Sequence, residues 1–144
     1  MIYKVSKTFG HNEGLSCCFR QWRAESHCNL LHGYALSIEL EFETRILDDR
    51  NWVVDFGDFK LIKEFLHKWF DHTTLIAKDD PHLQQFIFLH EKKLINLKII
   101  DNVGCESFAE FIFNELVNFK ICDKLLTSVT VKEHDSNSAT YERK

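Results

Sequence analysis

Gly33-Tyr34-Ala35-Leu36-Ser37-Ile38-Glu39-Leu40-Glu41-Phe42-Glu43 is the stretch on which the fold turns. Leu36, Ile38, Leu40 and Phe42 alternate with Ser37, Glu39, Glu41 and Glu43. Successive side chains of an extended chain point to opposite faces, so this period of two predicts a half-buried strand over 33–43. A strand apolar on one face and acidic on the other belongs in an antiparallel sheet covered on one side. His32 and Tyr34 share the parity of the apolar face and are expected to point toward buried surface.

Outward from that strand, residues 2–9 read as another, with Tyr3, Val5 and Phe9 on one face and His11 on the same parity just beyond. Residues 10–31 show no period and read as a long irregular segment, a length that points to function. Residues 52–56 read as a partner strand after the turn Asp48-Asp49-Arg50-Asn51. Phe59, Ile62, Phe65, Leu66 and Trp69 predict a helix over 58–70 with Asp58 as N-cap. Asp79-Asp80-Pro81 announces a second helix over 81–92, carrying Leu83, Phe86, Ile87 and His90. A short strand over 94–100 and a third helix over 105–119 follow. The chain closes with strands at 127–133 and 138–142 around the turn Asp135-Ser136-Asn137. The sum is an α+β fold, an antiparallel sheet with helices packed on one face.

The 144 residues are enough for one domain, 1–144, with a sizeable core. At 44% hydrophobic and 28% charged the composition excludes disorder, and 13 phenylalanines supply bulk for the core. A net charge of -4 without a basic patch argues against a nucleic-acid partner. No apolar run approaches the ~20 residues that span a bilayer, so no membrane partner is expected. The start, Met1-Ile2-Tyr3-Lys4, has no apolar signal region, and five cysteines without zinc-ribbon spacing read as reduced thiols. A cytoplasmic protein is expected.

Several side chains carry chemistry. His11 and His32, on two strands at apolar-parity positions, are candidate metal ligands or ordinary structural histidines. His27 and Tyr34 compete for a third ligand position, with Cys17 and Cys18 outside them. Cys28 reads as a buried inert thiol or as a thiolate favoured by His27, Arg20, Arg23 or a metal. Asp71-His72 is a base with its orienting carboxylate, or a polar helix end. Glu133 shares the apolar face of Val129 and Val131, where a carboxylate is either paired or employed. Glu106 opens the third helix, where its charge suits the dipole.

Taken in order, Phe9-Gly10-His11, Cys28-x-x-x-His32-Gly33, Val53-Val54-Asp55-Phe56-x-x-x-Lys60, Asp71-His72-x-x-Leu75, Glu106 and Val131-Lys132-Glu133…Tyr141 resemble the 6-pyruvoyltetrahydropterin synthase / 6-carboxytetrahydropterin synthase family. The resemblance implies the tunnelling (T-fold) architecture, a four-stranded antiparallel sheet backed by helices. It also implies a homo-oligomer, a trimer or a dimer of trimers, with active sites at the interfaces between subunits.

Residue by residue, it implies that His11 and His32 are zinc ligands and that Cys28 is the catalytic thiol, with Asp71 and His72 its partners in proton transfer. Glu133 would anchor the amino-pyrimidinone edge of a pterin, and Glu106 is carried with it into the substrate site. In the family, Zn2+ acidifies a C–H of the substrate side chain as a Lewis acid. The implied substrate is a small molecule, 7,8-dihydroneopterin triphosphate. Arg20 and Arg23 are the candidates for its triphosphate, since a net-acidic protein needs local positive charge there.

The chain departs from the family pattern in three places. Tyr34 stands where the His-Gly-His motif has its second histidine, so the third zinc ligand is open between His27 and Tyr34. Phe9-Gly10-His11 is shorter than the usual Phe-x-Ala-x-His, and the segment 19–27 and the helix at 81–92 have no clear counterpart. The expected function is a zinc-dependent pterin lyase of the 6-carboxytetrahydropterin branch, on a route to 7-deazaguanines such as queuosine. Cys28 disfavours the folate-precursor branch, which uses a glutamate in its place. Elimination of the 6-pyruvoyl type, and a T-fold protein that binds a pterin or purine without turnover, are the other two readings.

Overall fold

The computed structural model describes residues 1–123 and 125–144. The first strand, β1, runs Tyr3–Phe9. The segment 10–31 is not irregular throughout. It holds the strand β2, Ser16–Phe19, between 3-10 turns at His11–Glu13 and His27–Asn29. Four residues are too few for a period to register in the sequence, although Cys17 and Phe19 do face inward.

The strand expected at 33–43 is two strands, β3 (His32–Ala35) and β4 (Ser37–Thr44), which belong to different sheets. Leu36 between them is fully buried and donates its N–H to Leu15 O at 3.0 Å. The alternation of apolar and polar residue types runs through this junction, although Leu36, Ser37 and Ile38 are all buried, which is why the sequence reads as one strand. Ile38, Leu40 and Phe42 are buried as expected, whereas His32 and Tyr34 are only half-buried.

Residues 52–56 form no strand. Asp48 Oδ1 accepts the N–H groups of Arg50 and Trp52, at 2.8 and 2.9 Å, and Trp52 O accepts the N–H of Asp48. This local hydrogen bonding takes the groups a ladder would need. The first helix, α1, spans Lys60–Phe70, and Phe59 rather than Asp58 holds its N-cap position. Asp55, not Asp58, is the capping carboxylate, and it closes the 3-10 turn Phe56–Asp58 through Gly57 N–H.

A strand the periodicity does not announce, β5 (Thr73–Ala77), follows α1, with all five residues buried. A strand covered on both faces has no alternation to read. Then come α2 (Leu83–Glu91), β6 (Leu97–Ile100) and α3, which spans Cys105–Leu116 and stops short of the expected 119. The last strands are β7 (Leu126–His134) and β8 (Asn137–Glu142).

One sheet is antiparallel in the order β1-β4-β7-β8, as expected from the acidic and apolar alternation. A second, unanticipated sheet runs β3-β2-β5-β6, antiparallel at β2–β3 and parallel elsewhere. The core lies between the first sheet and the helices: Ile38, Leu40, Phe42, Val129 and Val131 meet Ile62, Leu66, Phe70, Phe108 and Ile112. Phe108 meets Phe19 and Phe70 edge-on, with ring centroids 5.1 and 5.4 Å away. Among the described residues no helix is long and apolar enough to cross a membrane.

Candidate functional site

His11 lies in the 3-10 turn that follows β1, and its Nδ1 is 2.5 Å from Ala35 O at the end of β3. A neutral imidazole bonded this way donates from Nδ1 and presents a lone pair at Nε2. That Nε2 is buried and has no hydrogen-bond partner; the nearest carboxylate oxygen, Asp135 Oδ1, is 3.7 Å away. His32 repeats the arrangement, with Nδ1 2.7 Å from Leu30 O. Backbone carbonyls that fix the tautomer and leave Nε2 free are what orient histidines toward a metal. The two histidines therefore fit a zinc ion through the donors they leave open. Among the described residues no group of three or more His, Cys, Asp or Glu is placed to hold a metal.

Cys28 sits in the middle of the 3-10 turn His27–Asn29, half-buried, with His27 exposed before it. Ser26 caps the turn by accepting Cys28 N–H at 3.3 Å. All five cysteines are free thiols. Gly33 is required by the close pairing of β2 and β3, because a Cβ there would stand 2.8 Å from Cys17 O. The next residue, Tyr34, lies edge-on to His32 with ring centroids 5.5 Å apart, and 6.1 Å from His134. Burial pushes the Tyr34 phenol above its ordinary range, and the neighbouring Glu133, Cys28 and Cys105 push it further. Tyr34 thus joins His32 of its own strand to His134 of β7.

Asp71 ends α1, and His72 turns the corner into β5 with a left-handed φ of 54° while donating its N–H to Ser16 O at 2.7 Å. His72 Nδ1 is 2.5 Å from Asp71 Oδ1, and the His72 side chain is 90% exposed. The other carboxylate oxygen, Asp71 Oδ2, accepts from His67 Nδ1 at 2.8 Å. His67 Nε2 in turn reaches Glu13 Oε1 at 3.0 Å, and Lys63 Nζ meets the same oxygen at 3.0 Å. Hydrogen bonds donated to Glu13 and Asp71 hold the His67 imidazolium above its ordinary range. The same bonds hold Glu13 below the usual carboxylate range, and those from His67 and then His72 do so for Asp71.

Glu106, in the first turn of α3, and Glu133, near the end of β7, line one cavity of about 440 Å³ with Cys105, Ser136, Asn137 and Ser138. Burial, reinforced by Glu133 and Glu106, pushes the Cys105 thiol up to about 12, so it stays protonated. Arg20 is committed elsewhere: its Nε and Nη2 grip Asp80 at 2.8 and 3.3 Å, and its Nη1 reaches Asn29 O and Oδ1. Arg23 is exposed, stacked 4.1 Å over the Trp22 ring with one bond to Asp79 at 2.9 Å.

Sequence reasoning missed His67, Glu13 and Asp135. His67 and Asp71 stand four apart on a helix, a spacing that brings side chains together and was available to read. Glu13 lay in a segment without a period, and nothing in the sequence pairs Asp135 with His11.

A model of the 6-pyruvoyl tetrahydropterin synthase family matches residues 9–144. The chain is similar to the 6-carboxy-5,6,7,8-tetrahydropterin synthase of Rickettsia bellii, 31% identical over 97 residues, which is 64% of this chain and 67% of that protein. The enzyme of the same name from Rickettsia typhi is 24% identical over 123 residues, 82% of this chain and 86% of its own. Among solved structures, an uncharacterized protein from Wolinella succinogenes superposes with a TM-score of 0.85 at 20% identity, over 100% of this chain and 99% of the other. The 6-pyruvoyl tetrahydropterin synthase of Plasmodium vivax does so with 0.71 at 16% identity, over 99% and 98%. At these identities the structures speak for the shared fold alone.

Proposed function

The chain belongs to the 6-pyruvoyl tetrahydropterin synthase family, and from that premise we propose that it is a zinc-dependent pterin lyase. The reaction is that of a 6-carboxytetrahydropterin synthase: 7,8-dihydroneopterin triphosphate and water give 6-carboxy-5,6,7,8-tetrahydropterin, acetaldehyde and triphosphate, on a route to 7-deazaguanines such as queuosine. The observation that supports this reading is the cavity that Glu133 lines together with Glu106, a carboxylate wall suited to the N–H edge of a pterin.

Glu133 accepts two N–H groups from the amino-pyrimidinone edge, with Glu106 on the same cavity wall. His11 and His32 would hold the zinc through Nε2, and Tyr34 or His27 would complete the set. The metal supplies Lewis-acid polarisation of the substrate's side-chain oxygens. Cys28 takes the proton from carbon as a thiolate. His72 keeps Nδ1 on Asp71 and exchanges protons with the substrate at Nε2. Arg23, the less committed arginine, meets the triphosphate, while Arg20 stays paired with Asp80.

The exposure of His72 supports a site finished by a second copy of the chain, in a trimer or a dimer of trimers. The free edges of the antiparallel sheet, β1 and β8, are where copies would join. A second reading, a T-fold protein that binds a pterin without turnover, draws support from the absence, among the described residues, of any group of three or more His, Cys, Asp or Glu placed to hold a metal. Incubation with 7,8-dihydroneopterin triphosphate and mass identification of the product tests both. The lyase reading expects 6-carboxytetrahydropterin and acetaldehyde. Unchanged substrate with zinc supplied would remove it.

A further inference from the structure

Of the histidines the proposed mechanism leaves without a role, His67 is the one bound at both ring nitrogens to carboxylates. It projects from α1 between Asp71, four residues on along its own chain, and Glu13, from the 3-10 turn that carries His11. Lys63, one turn earlier on α1, meets the same oxygen of Glu13 that His67 does. The charged and titratable groups facing His67 are therefore Glu13, Lys63, Asp71 and, through Asp71, His72.

The geometry points to His67 as a positioning residue that sets Asp71, and through it His72, against the turn bearing His11. This rests on the lyase reading above, in which His72 moves a proton. Asp71 has two oxygens, and each has its own imidazole: Oδ1 takes His72 and Oδ2 takes His67. His72 is largely exposed and cannot hold the carboxylate in one rotamer by itself. His67 can, because it stands on a helix whose neighbouring positions Leu66 and Phe70 are fully buried. Its second bond, to Glu13, ties that helix to the segment from which His11 projects. The turn bearing His11 and the Asp71–His72 corner are thus both tied to α1 by one ring. The charge suits the task, since two carboxylates keep both ring nitrogens protonated and hence both as donors.

The test uses the full chain labelled with nitrogen-15 in histidine. At neutral pH His67 is expected to show two hydrogen-bonded ring N–H signals, and His72 one protected Nδ1–H. In His67→Gln a single amide cannot hold both carboxylates. The His72 Nδ1–H signal should collapse into exchange with solvent, and kcat should fall on the order of 10²-fold with KM little changed, as expected for misplaced catalytic groups. Glu13→Gln, which leaves the bond to Asp71 in place, should show the same pattern more weakly and serves if His67→Gln does not fold. A singly protonated His67 in the wild type would overturn the proposal. So would unchanged kcat and an unchanged His72 signal in His67→Gln while His72→Gln is inactive, a result that leaves the lyase reading standing. Full turnover in His72→Gln would overturn that reading and the positioning role with it.

Discussion

Phe19 on β2 pairs with His32 on β3, and their ring centroids stand 5.3 Å apart. Phe19 is 1% exposed and touches Phe108 of α3 on its other side, so the core reaches through this one ring to the candidate metal ligand. Phe19→Ala should cost about 3–5 kcal/mol in urea unfolding, as large aromatic truncations do. It should also weaken zinc binding in a competition titration, because His32 loses the surface that orients it. A variant destabilised to that extent but with unchanged zinc affinity would separate the core from the site.

Zinc content and turnover should part company at Cys28. His11→Ala and His32→Ala are each expected to lose stoichiometric zinc. Cys28→Ala should keep both zinc and pterin binding while nearly eliminating product. Metal analysis, pterin fluorescence titration and product mass measure the three properties on the same preparations. Turnover at the wild-type rate in Cys28→Ala would take the thiol out of the mechanism.

Arg20 and Arg23 should behave differently. The Asp80 side chain is 1% exposed, so Arg20→Met strands a buried carboxylate and should cost about 3–5 kcal/mol. Arg23 is exposed, and Arg23→Ala should move stability by no more than about 0.5 kcal/mol. Its expected signature is a several-fold rise in KM for the triphosphate substrate with none for a dephosphorylated analogue. Equal KM for both would place the triphosphate elsewhere.

The Glu13–His67–Asp71 network should give stability a maximum in mildly acidic solution. His67 is held above its ordinary 6.5, so its contribution is complete below that value and is lost as pH rises through the raised one. Glu13 and Asp71 are held below 4.5 and 3.8, so their contributions are complete above those values and are lost as pH falls through the lowered ones. Urea midpoints should therefore be highest between roughly 4.5 and 6.5 and decline on both sides. In His67→Gln the alkaline decline should flatten. An unchanged profile would mean that the ring is not ionised in the folded protein.

How much of this was legible depends on which physical signal each part leaves. The antiparallel sheet announced itself, because its wet face forces Glu39, Glu41 and Glu43 to alternate with Ile38, Leu40 and Phe42. The second sheet left no such trace: β5 is buried on both faces and β2 is four residues long. Helices α1 and α3 were readable from their apolar stripes, but their ends were not: Asp58 looks like a cap, yet Phe59 holds the N-cap position of α1 and Asp55 caps only the 3-10 turn before it. The family resemblance supplied the candidate roles of Cys28, His32 and Glu133. Spacing alone could not have brought Glu106 and Glu133 to one cavity, as they lie on different elements of the chain. The sequence also concealed that Arg20 is engaged by Asp80, sixty residues away.

The single residue between β3 and β4 has a consequence for how the molecule is made. With Leu36 buried and no loop to absorb an error, the two strands share one register. A slip of β4 by one position would turn its aliphatic row outward and would swing His32 and Tyr34 to the wrong side in the same step. Misthreading and loss of chemistry are thus one event. The cell is spared a product that is well assembled yet wired wrongly.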